Sequence, residues 1–363
     1  MKTADMSVGI HGVGTYLPEP VRRNDWWPEA IVEQWRARAR ANLVRPARAD
    51  GDPVGEGVDR VLSVAEAYRD DPFKGAVERR IRPDDMPSSA MEIAAAREAL
   101  NRANVDPGDI GMLLTYSQLP DHLVIPNTTL IHRELGLGER CFSLGTEGAC
   151  NSFLLQLCLA EQMIRAGRTK YALLIQSSAV SRILPPEDQQ SVWFGDAATA
   201  EVVGPVPSGM GLLGQSHRTD GSLYEALLAD CGAQRWYEGG VVQLHVKDRA
   251  KARQMLLRIA DLAKQSIDEA LSEARFGPAD VNFYATHQST EWFRRVTQEH
   301  AGLANARYVD TFKWTAGLGA SNIPFMMAVG EREGLLRNGD LVAMHTGGSG
   351  ITWSGAVLRW GCV

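Results

Sequence analysis

A repeat constrains this chain more than any other feature. The stretch AREALNRANVDPGDIGMLLTYSQ, from Ala96, lies without a gap over IDEALSEARFGPADVNFYATHQS, from Ile267, at an offset of 171 residues. Glu98, Ala99, Leu100, Ala103, Pro107, Asp109 and Thr115 match Glu269, Ala270, Leu271, Ala274, Pro278, Asp280 and Thr286. Each copy reads as an amphipathic helix, a proline-bearing turn, an apolar strand and a polar loop. At the same offset GACN (148–151) falls on GASN (319–322), and each opens an apolar helical run. Apolar strands follow, KYALLIQSS and DLVAMHTGG. Two copies of a β-α-β-α-β unit are therefore expected, their strands buried between helices, with a site where equivalent loops meet. The expected division is 1–205 and 206–363.

One segment lies outside the repeat. Residues 26–73, or about 26–75, are charged, helical in parts, and broken by a Gly/Pro/Asp patch. They read as an insertion after the first strand, either a surface helical cap or a lid over a site.

Composition narrows the class. At 44% hydrophobic and 23% charged, the chain is an ordinary globular one, without an apolar run of membrane-spanning length. A net charge of −6 argues against general nucleic-acid binding. Five widely spaced cysteines fit a reducing compartment, and there is no CxxC or HExxH to suggest a metal. The start reads as a strand and a glycine turn and not as a secretory leader, which predicts a cytoplasmic protein.

The chemistry centres on TEGACNSFLLQL, residues 146–157. A thiol at a helix start feels the positive end of the dipole, which predicts a lowered pKa and a nucleophilic Cys150. The competing reading is a small buried apolar residue, as expected for Cys158. His287 ends the second copy's strand, where the first has Tyr116. If the halves pack about a pseudo-twofold axis, His287 comes within reach of Cys150 as a general base.

The motifs then resemble a known family. GVGTYLPEPVRRN, GAVERRIRPDD, GACNSF, WFGDAATAEVV, HQST and GGSGITWSGAVLRW, in this order, are similar to the motifs of the ketoacyl-ACP synthase III group of the thiolase superfamily. The resemblance spans nearly the whole chain apart from the insertion. It implies an α/β thiolase-like fold of duplicated halves in α-β-α-β-α layers. It implies an acyl thioester on Cys150, assistance from His287, and an oxyanion hole from the backbone N–H groups of Cys150 and Ser349. It implies a cytoplasmic homodimer with Ile125 entering the partner's acyl pocket, and no tightly bound cofactor. The acyl donor is acyl-CoA or a phosphopantetheine-bound acyl carrier protein. Trp35 and Arg80 are candidate contacts to that donor, and the basic run of Lys247, Arg249, Lys251 and Arg253 is a candidate docking patch, as is the pair Arg294–Arg295. No nucleic-acid or membrane partner is expected.

The pattern breaks once. The family's catalytic asparagine falls on Gly317, with Asn322 and Asp310 as weaker substitutes. Losing one such donor costs about 3–4 kcal/mol. The loss predicts an acyltransferase that passes its acyl group to a hydroxyl, amine or thiol without decarboxylation, and the resemblance, which extends to relatives with altered triads, implies a setting in natural-product biosynthesis. The alternatives are a decarboxylating synthase with a substitute donor, and an inactive scaffold paired with an active homologue.

Overall fold

The computed structural model describes residues 6–41, 48–232 and 235–361. In chain order the strands are β1 (Ser7–Tyr16), β2 (Val21–Arg23), β3 (Glu78–Arg80), β4 (Ile110–Ser117), β5 (Phe142–Gly145), β6 (Tyr171–Ser178), β7 (Ala197–Val206), β8 (Gly211–Thr219), β9 (Leu228–Asp230), β10 (Gln243–His245), β11 (Phe283–Thr286), β12 (Leu341–Gly348) and β13 (Thr352–Arg359). The helices are α1 (Glu29–Ala41), α2 (Glu56–Ala67), α3 (Ser88–Ala103), α4 (Asn127–Leu135), α5 (Ser152–Arg165), α6 (Arg249–Ala274), α7 (Phe293–His300), α8 (Phe312–Thr315) and α9 (Asn322–Arg332).

The duplication is visible in the sheets. One runs β1-β7-β6-β4-β5 and the other β8-β13-β12-β11. In both, the innermost helical crossover gives a parallel pair, β4 with β6 and β11 with β12; the edge strand β5 is also parallel to β4, and the remaining pairs are antiparallel. Only the first sheet carries the extra edge strand β5.

The sequence dictates how closely each outer helix approaches its sheet. A Cβ on Gly12 of β1 would lie 2.8 Å from the Ala99 oxygen and 2.7 Å from the Ala103 nitrogen of α3. On Gly214 of β8 it would lie 2.2 Å from the Ala270 oxygen and 2.8 Å from the Ala274 nitrogen of α6. The paired alanines are those of the sequence repeat, so glycine on the strand and alanine on the helix let the two backbones touch in both halves.

Between the sheets lie α5 and α9. Phe153, Leu157, Phe325 and Met327 from these helices pack with Met112, Leu174, Val342 and Met344 from the strands in one buried cluster. Each such side chain contributes roughly 1.5–3 kcal/mol. The result is a layered α-β-α-β-α stack, with the starts of α5 and α9 facing the same central seam.

The insertion is docked on the second half. Val58 and Val61 of α2 are buried against Leu257 and Ala260 of α6 and against Trp292 and Val296. Arg253 of α6 holds Asp52 with bonds of 2.8 and 2.7 Å. Trp27, Trp35 and Phe73 form a separate aromatic cluster with Val192. No helix among the described residues is long and apolar enough to cross a membrane.

Candidate active site

The two GAxN loops are offset by one residue from the sequence register. The short turn before α5 spans Ala149–Asn151, and the one before α9 spans Gly319–Ser321. Ala149 and Gly319 share a left-handed conformation, with φ of 49° and 57°. The offset has therefore fallen to 170, and the structural equivalent of Cys150 is Ala320, not Ser321. Strands β6 and β12 keep this spacing, beginning at Tyr171 and Leu341.

The halves close on the cysteine loop directly. Thr346 Oγ1 donates to the Cys150 carbonyl at 2.9 Å, and Asn151 Nδ2 donates to Thr352 Oγ1 at 3.2 Å. Gly348 leaves room for this contact, since a Cβ there would lie 2.4 Å from the Gly148 oxygen. Cys150, His287 and Ser349 all line one cavity of about 170 Å³. Its walls are otherwise mostly apolar, including Phe194, Leu244 and Phe293. None of residues 26–73 among those described lines it, and α2 of the insertion is docked on α6 as a surface cap.

Burial sets the ionisation of the pair. It pushes the Cys150 thiol up to about 12, and the nearby Glu147 carboxylate adds to the rise. The helix-start argument for a lowered pKa is thus overturned: desolvation of the thiolate outweighs the dipole. Burial also pushes His287 down to about 4. The resting pair is a neutral thiol beside a neutral imidazole.

Asn322 decides which imidazole nitrogen carries the proton. Its Oδ1 accepts from the Leu318 N–H at 3.2 Å and its Nδ2 donates to the Gly319 oxygen at 3.1 Å, which fixes the amide orientation. The same Nδ2 lies 2.7 Å from His287 Nδ1 and donates to it. The imidazole proton therefore sits on Nε2. In this state His287 is a hydrogen-bond donor, whereas a general base would need the other tautomer.

The remaining candidates separate clearly. Gly317 is clamped by bonds from its N–H to the Trp193 oxygen (2.8 Å) and from the Gly195 N–H to its own oxygen (3.0 Å). A Cβ there would lie 3.1 Å from the Gln288 and Trp193 oxygens, so the position offers no side-chain donor. Asp310 is held by Arg294 at 2.8 and 2.7 Å, which removes it as a substitute. That contact also takes Arg294, a buried residue, out of any docking patch. Trp35 is 1% exposed and donates to the Glu187 oxygen at 3.0 Å, so it cannot stack on a carrier. Arg80 donates to the Pro18 and Glu19 oxygens at 3.2 and 3.3 Å. In the basic run, Lys247 lies 3.5 Å from Asp230, Lys251 pairs with Glu225, and Arg253 pairs with Asp52. Arg249 is exposed and, alone of the four, pairs with no acidic side chain among the described residues. Ile125 is exposed at φ 61°, beside exposed Leu123 and Val124.

Sequence reasoning missed one contact and one residue. The Asn322–His287 contact depends on the one-residue slip, which no pattern in the chain announces. His345 lies buried in β12, lines the cavity, and has Nδ1 2.9 Å from Ser266 Oγ. Burial pushes it down to about 3. A histidine inside the apolar run LVAMHTGG was the available signal. Among the described residues no group of three or more His, Cys, Asp or Glu side chains could hold a metal ion.

Comparison with known proteins bears on the family and the fold. Residues 145–221 match the family model of 3-oxoacyl-[acyl-carrier-protein (ACP)] synthase III, and residues 271–360 match the model of its C-terminal part. The chain is a ketoacyl-ACP synthase III-like protein. It is 29% identical over 288 residues to the β-ketoacyl-[acyl-carrier-protein] synthase III of Rhizorhabdus wittichii, covering 79% of this chain and 88% of that one. It is 26% identical over 357 residues to the β-ketoacyl-[acyl-carrier-protein] synthase III 1 of Bacillus cereus, covering 98% and 100%. The Thermus thermophilus β-ketoacyl-[acyl carrier protein] synthase III structure superposes with a TM-score of 0.77 at 23% identity, covering 98% and 100%. A cerulenin-bound OleA from Xanthomonas campestris superposes at 0.76 with 18% identity, covering 99% of both. At such identities these structures establish the fold: the synthase III-like protein has the α/β thiolase-like fold.

Proposed function

We propose that this synthase III-like protein is a transferase that carries an acyl group on Cys150 and passes it on without decarboxylation, in polyketide-type natural-product biosynthesis. The named relatives support acyl transfer or condensation of the thiolase kind. In the first half-reaction Cys150 sulfur attacks the carbonyl carbon of an acyl-CoA or acyl-carrier thioester. The new carbon–sulfur bond replaces the old one, and the thiol proton ends on the departing carrier sulfur. His287 donates from Nε2 to the thioester oxygen as charge develops there, alongside the N–H groups of Cys150 and Ser349. In the second half-reaction an amine or carrier thiol takes the acyl group and its proton returns to the cysteine sulfur. A hydroxyl acceptor is less well served, because His287 in its resting tautomer has no free nitrogen on the cavity side to remove a proton.

The observation that carries this reading is the missing donor. Gly317 has no side chain, and both N–H groups of Asn322 are already given to Gly319 and His287. An enolate formed by loss of CO₂ would meet His287 without a second side-chain donor. The condensing alternative keeps the support of the relatives' names and would need a backbone or water donor. A homodimer is part of the proposal: the unpaired edge β5 and the exposed Leu123, Val124, Ile125, Phe142 and Leu144 form an apolar face suited to a second copy.

The test is intact mass. Incubation with acetyl-, hexanoyl- and benzoyl-CoA is expected to add one acyl mass to the wild type and none to Cys150→Ala, and an added amine or carrier thiol should discharge it. Absence of an adduct with every donor would favour the scaffold.

A further inference from the structure

The loop after β11 runs from His287 to Phe293, the first residue of α7. Both of these residues line the cavity, and their rings meet edge to face with centroids 5.6 Å apart. Ser289, between them, lines it too.

The two halves of this loop are held by different parts of the chain. Gln288 is fixed from within the second half. Its Oε1 accepts from the Thr311 and Phe312 N–H groups at 2.9 and 3.0 Å, and its Nε2 donates to the Val309 oxygen at 3.1 Å. The outer half, residues 289–292, is held by the insertion. The Glu291 N–H donates to the Lys74 oxygen at 3.3 Å, and Tyr68 Oη donates to Glu291 Oε2 at 2.8 Å. Trp292 is 3% exposed and shares one buried cluster with Val58 and Val61 of α2. Among the described residues, no other hydrogen bond ties 289–292 to an element beyond α7.

The end of the insertion is shaped for this contact. Asp71 accepts from the Phe73 and Gly75 N–H groups at 2.9 and 2.7 Å, which turns the chain sharply. Gly75 has a φ of 90°, and a Cβ there would lie 2.2 Å from Glu291 Oε2 and 2.5 Å from Glu291 Cβ. Glycine therefore lets the insertion and the loop close on each other. Tyr68 and Glu291 are both half-buried, so their charge-assisted bond is partly shielded from water.

The insertion thus reaches the active site at one remove. It supplies no wall, but it holds the residues that join two walls. A loop left loose at 289–292 would let His287 and Phe293 drift, and a misplacement of about 1 Å can cost about 10²-fold in rate.

We propose that the insertion is a positioning element of the active site: Tyr68 and Glu291 are positioning residues that latch the loop and hold His287 and Phe293 in place on the cavity wall. The predicted effect on rate rests on the acyl-Cys150 reading, whereas the predicted effect on His287 does not.

Two readouts on one set of variants test this. The first is loading of Cys150 by hexanoyl-CoA, timed by intact mass. The second is the imidazole ¹H and ¹⁵N shifts of His287, assigned by their loss in His287→Gln. Tyr68→Phe and Glu291→Ala should each slow loading at saturating hexanoyl-CoA by about tenfold, the size of one hydrogen bond to a charged group, with the half-saturating concentration unchanged. Both should move the His287 signals, and the double variant should do no more than either single one. Glu291→Gln, which keeps an acceptor for Tyr68, should restore both readouts. Ile131→Val, a buried change in α4 of similar cost to stability, should move neither. Unmoved His287 signals in Tyr68→Phe and Glu291→Ala, or equal shifts in Ile131→Val, would overturn the latch while leaving acyl transfer intact. Moved signals in a protein that forms no adduct would sink the acyl-transfer reading and keep the latch.

Discussion

The turns before α5 and α9 are one structure made twice and used differently. Their cap residues, Ser152 and Asn322, have nearly the same backbone, with φ/ψ of −56°/−38° and −55°/−54°. Each bonds the same carbonyl of its own turn, Ser152 Oγ to the Ala149 oxygen at 2.8 Å and Asn322 Nδ2 to the Gly319 oxygen at 3.1 Å. The serine stops there. The asparagine has a second N–H, and it reaches His287. The first turn carries a thiol at its middle residue, the second carries Ala320, which is 2% exposed. The first also holds a non-glycine residue, Ala149, at positive φ, a strain of order 1–2 kcal/mol that Gly319 avoids in the second. Duplication thus supplied two equivalent helix starts. One carries the thiol, and the other bonds the histidine that lines the same cavity.

The largest effect expected is from exchanging the roles of the turns. Cys150→Ala should reduce acyl-enzyme formation by at least about 10⁴-fold, and adding Ala320→Cys should not restore it, because residue 320 is buried away from the cavity. Restoration, read by intact mass, would mean that the two turns are interchangeable.

Next in size is the pH dependence of thiol reactivity. With the thiol at about 12, iodoacetamide labelling of Cys150 should rise about tenfold per pH unit from pH 6 to 10, with no plateau. A plateau starting in mild acid would reveal a thiolate–imidazolium pair and contradict the neutral assignment.

Removing the second turn's contact comes third. Asn322→Ala should slow acyl transfer by about 10²–10³-fold. Asn322→Asp should reverse the tautomer, placing the proton on Nδ1, and give an activity profile that titrates closer to neutral pH. The ¹⁵N shifts of His287 check this: the wild type should carry its proton on Nε2.

Stability supplies a smaller effect. An unfolded histidine titrates near 6.5, whereas folded His287 titrates at about 4. Between these values the unfolded chain binds a proton that the folded chain does not, so stability is full above pH 6.5 and falls as the pH drops toward 4. The contribution is on the order of 3 kcal/mol. Denaturant melts of wild type and His287→Gln should differ in pH slope by up to one proton in that window. The smallest effect expected is from Gly317→Asn, which should destabilise by about 1–3 kcal/mol through crowding of the Gln288 and Trp193 carbonyls, without gain of decarboxylation.

Much of this was legible in the chain. Glycines and alanines at matched positions, alternating apolar runs and the ordered motifs carry the fold, because backbone contact distances and strand burial are written in local residue types. That Cys150 and His287 come to one cavity was legible because each sits at a repeat landmark, the end of a strand or the start of a helix. The Asn322–His287 bond was not, since a single-residue slip between Thr286 and Gly319 moves every side chain in that turn by one place. The direction of the thiol pKa was not legible either: the dipole is a local property of the helix, but desolvation comes from walls contributed by both halves. The resemblance implied a carrier contact at Trp35, and only its packing against Trp27 and Phe73 makes it a core residue.

Release of CO₂ tests the central claim most directly. The enzyme is loaded with an acyl-CoA until the Cys150 adduct is complete by mass, then given carboxyl-labelled malonyl-carrier protein in one sample and an amine or carrier thiol in another. The account predicts discharge of the adduct by the amine or thiol, with no labelled CO₂ from malonyl above the Cys150→Ala background. Labelled CO₂ released in step with adduct loss, together with a β-keto thioester product, would contradict it.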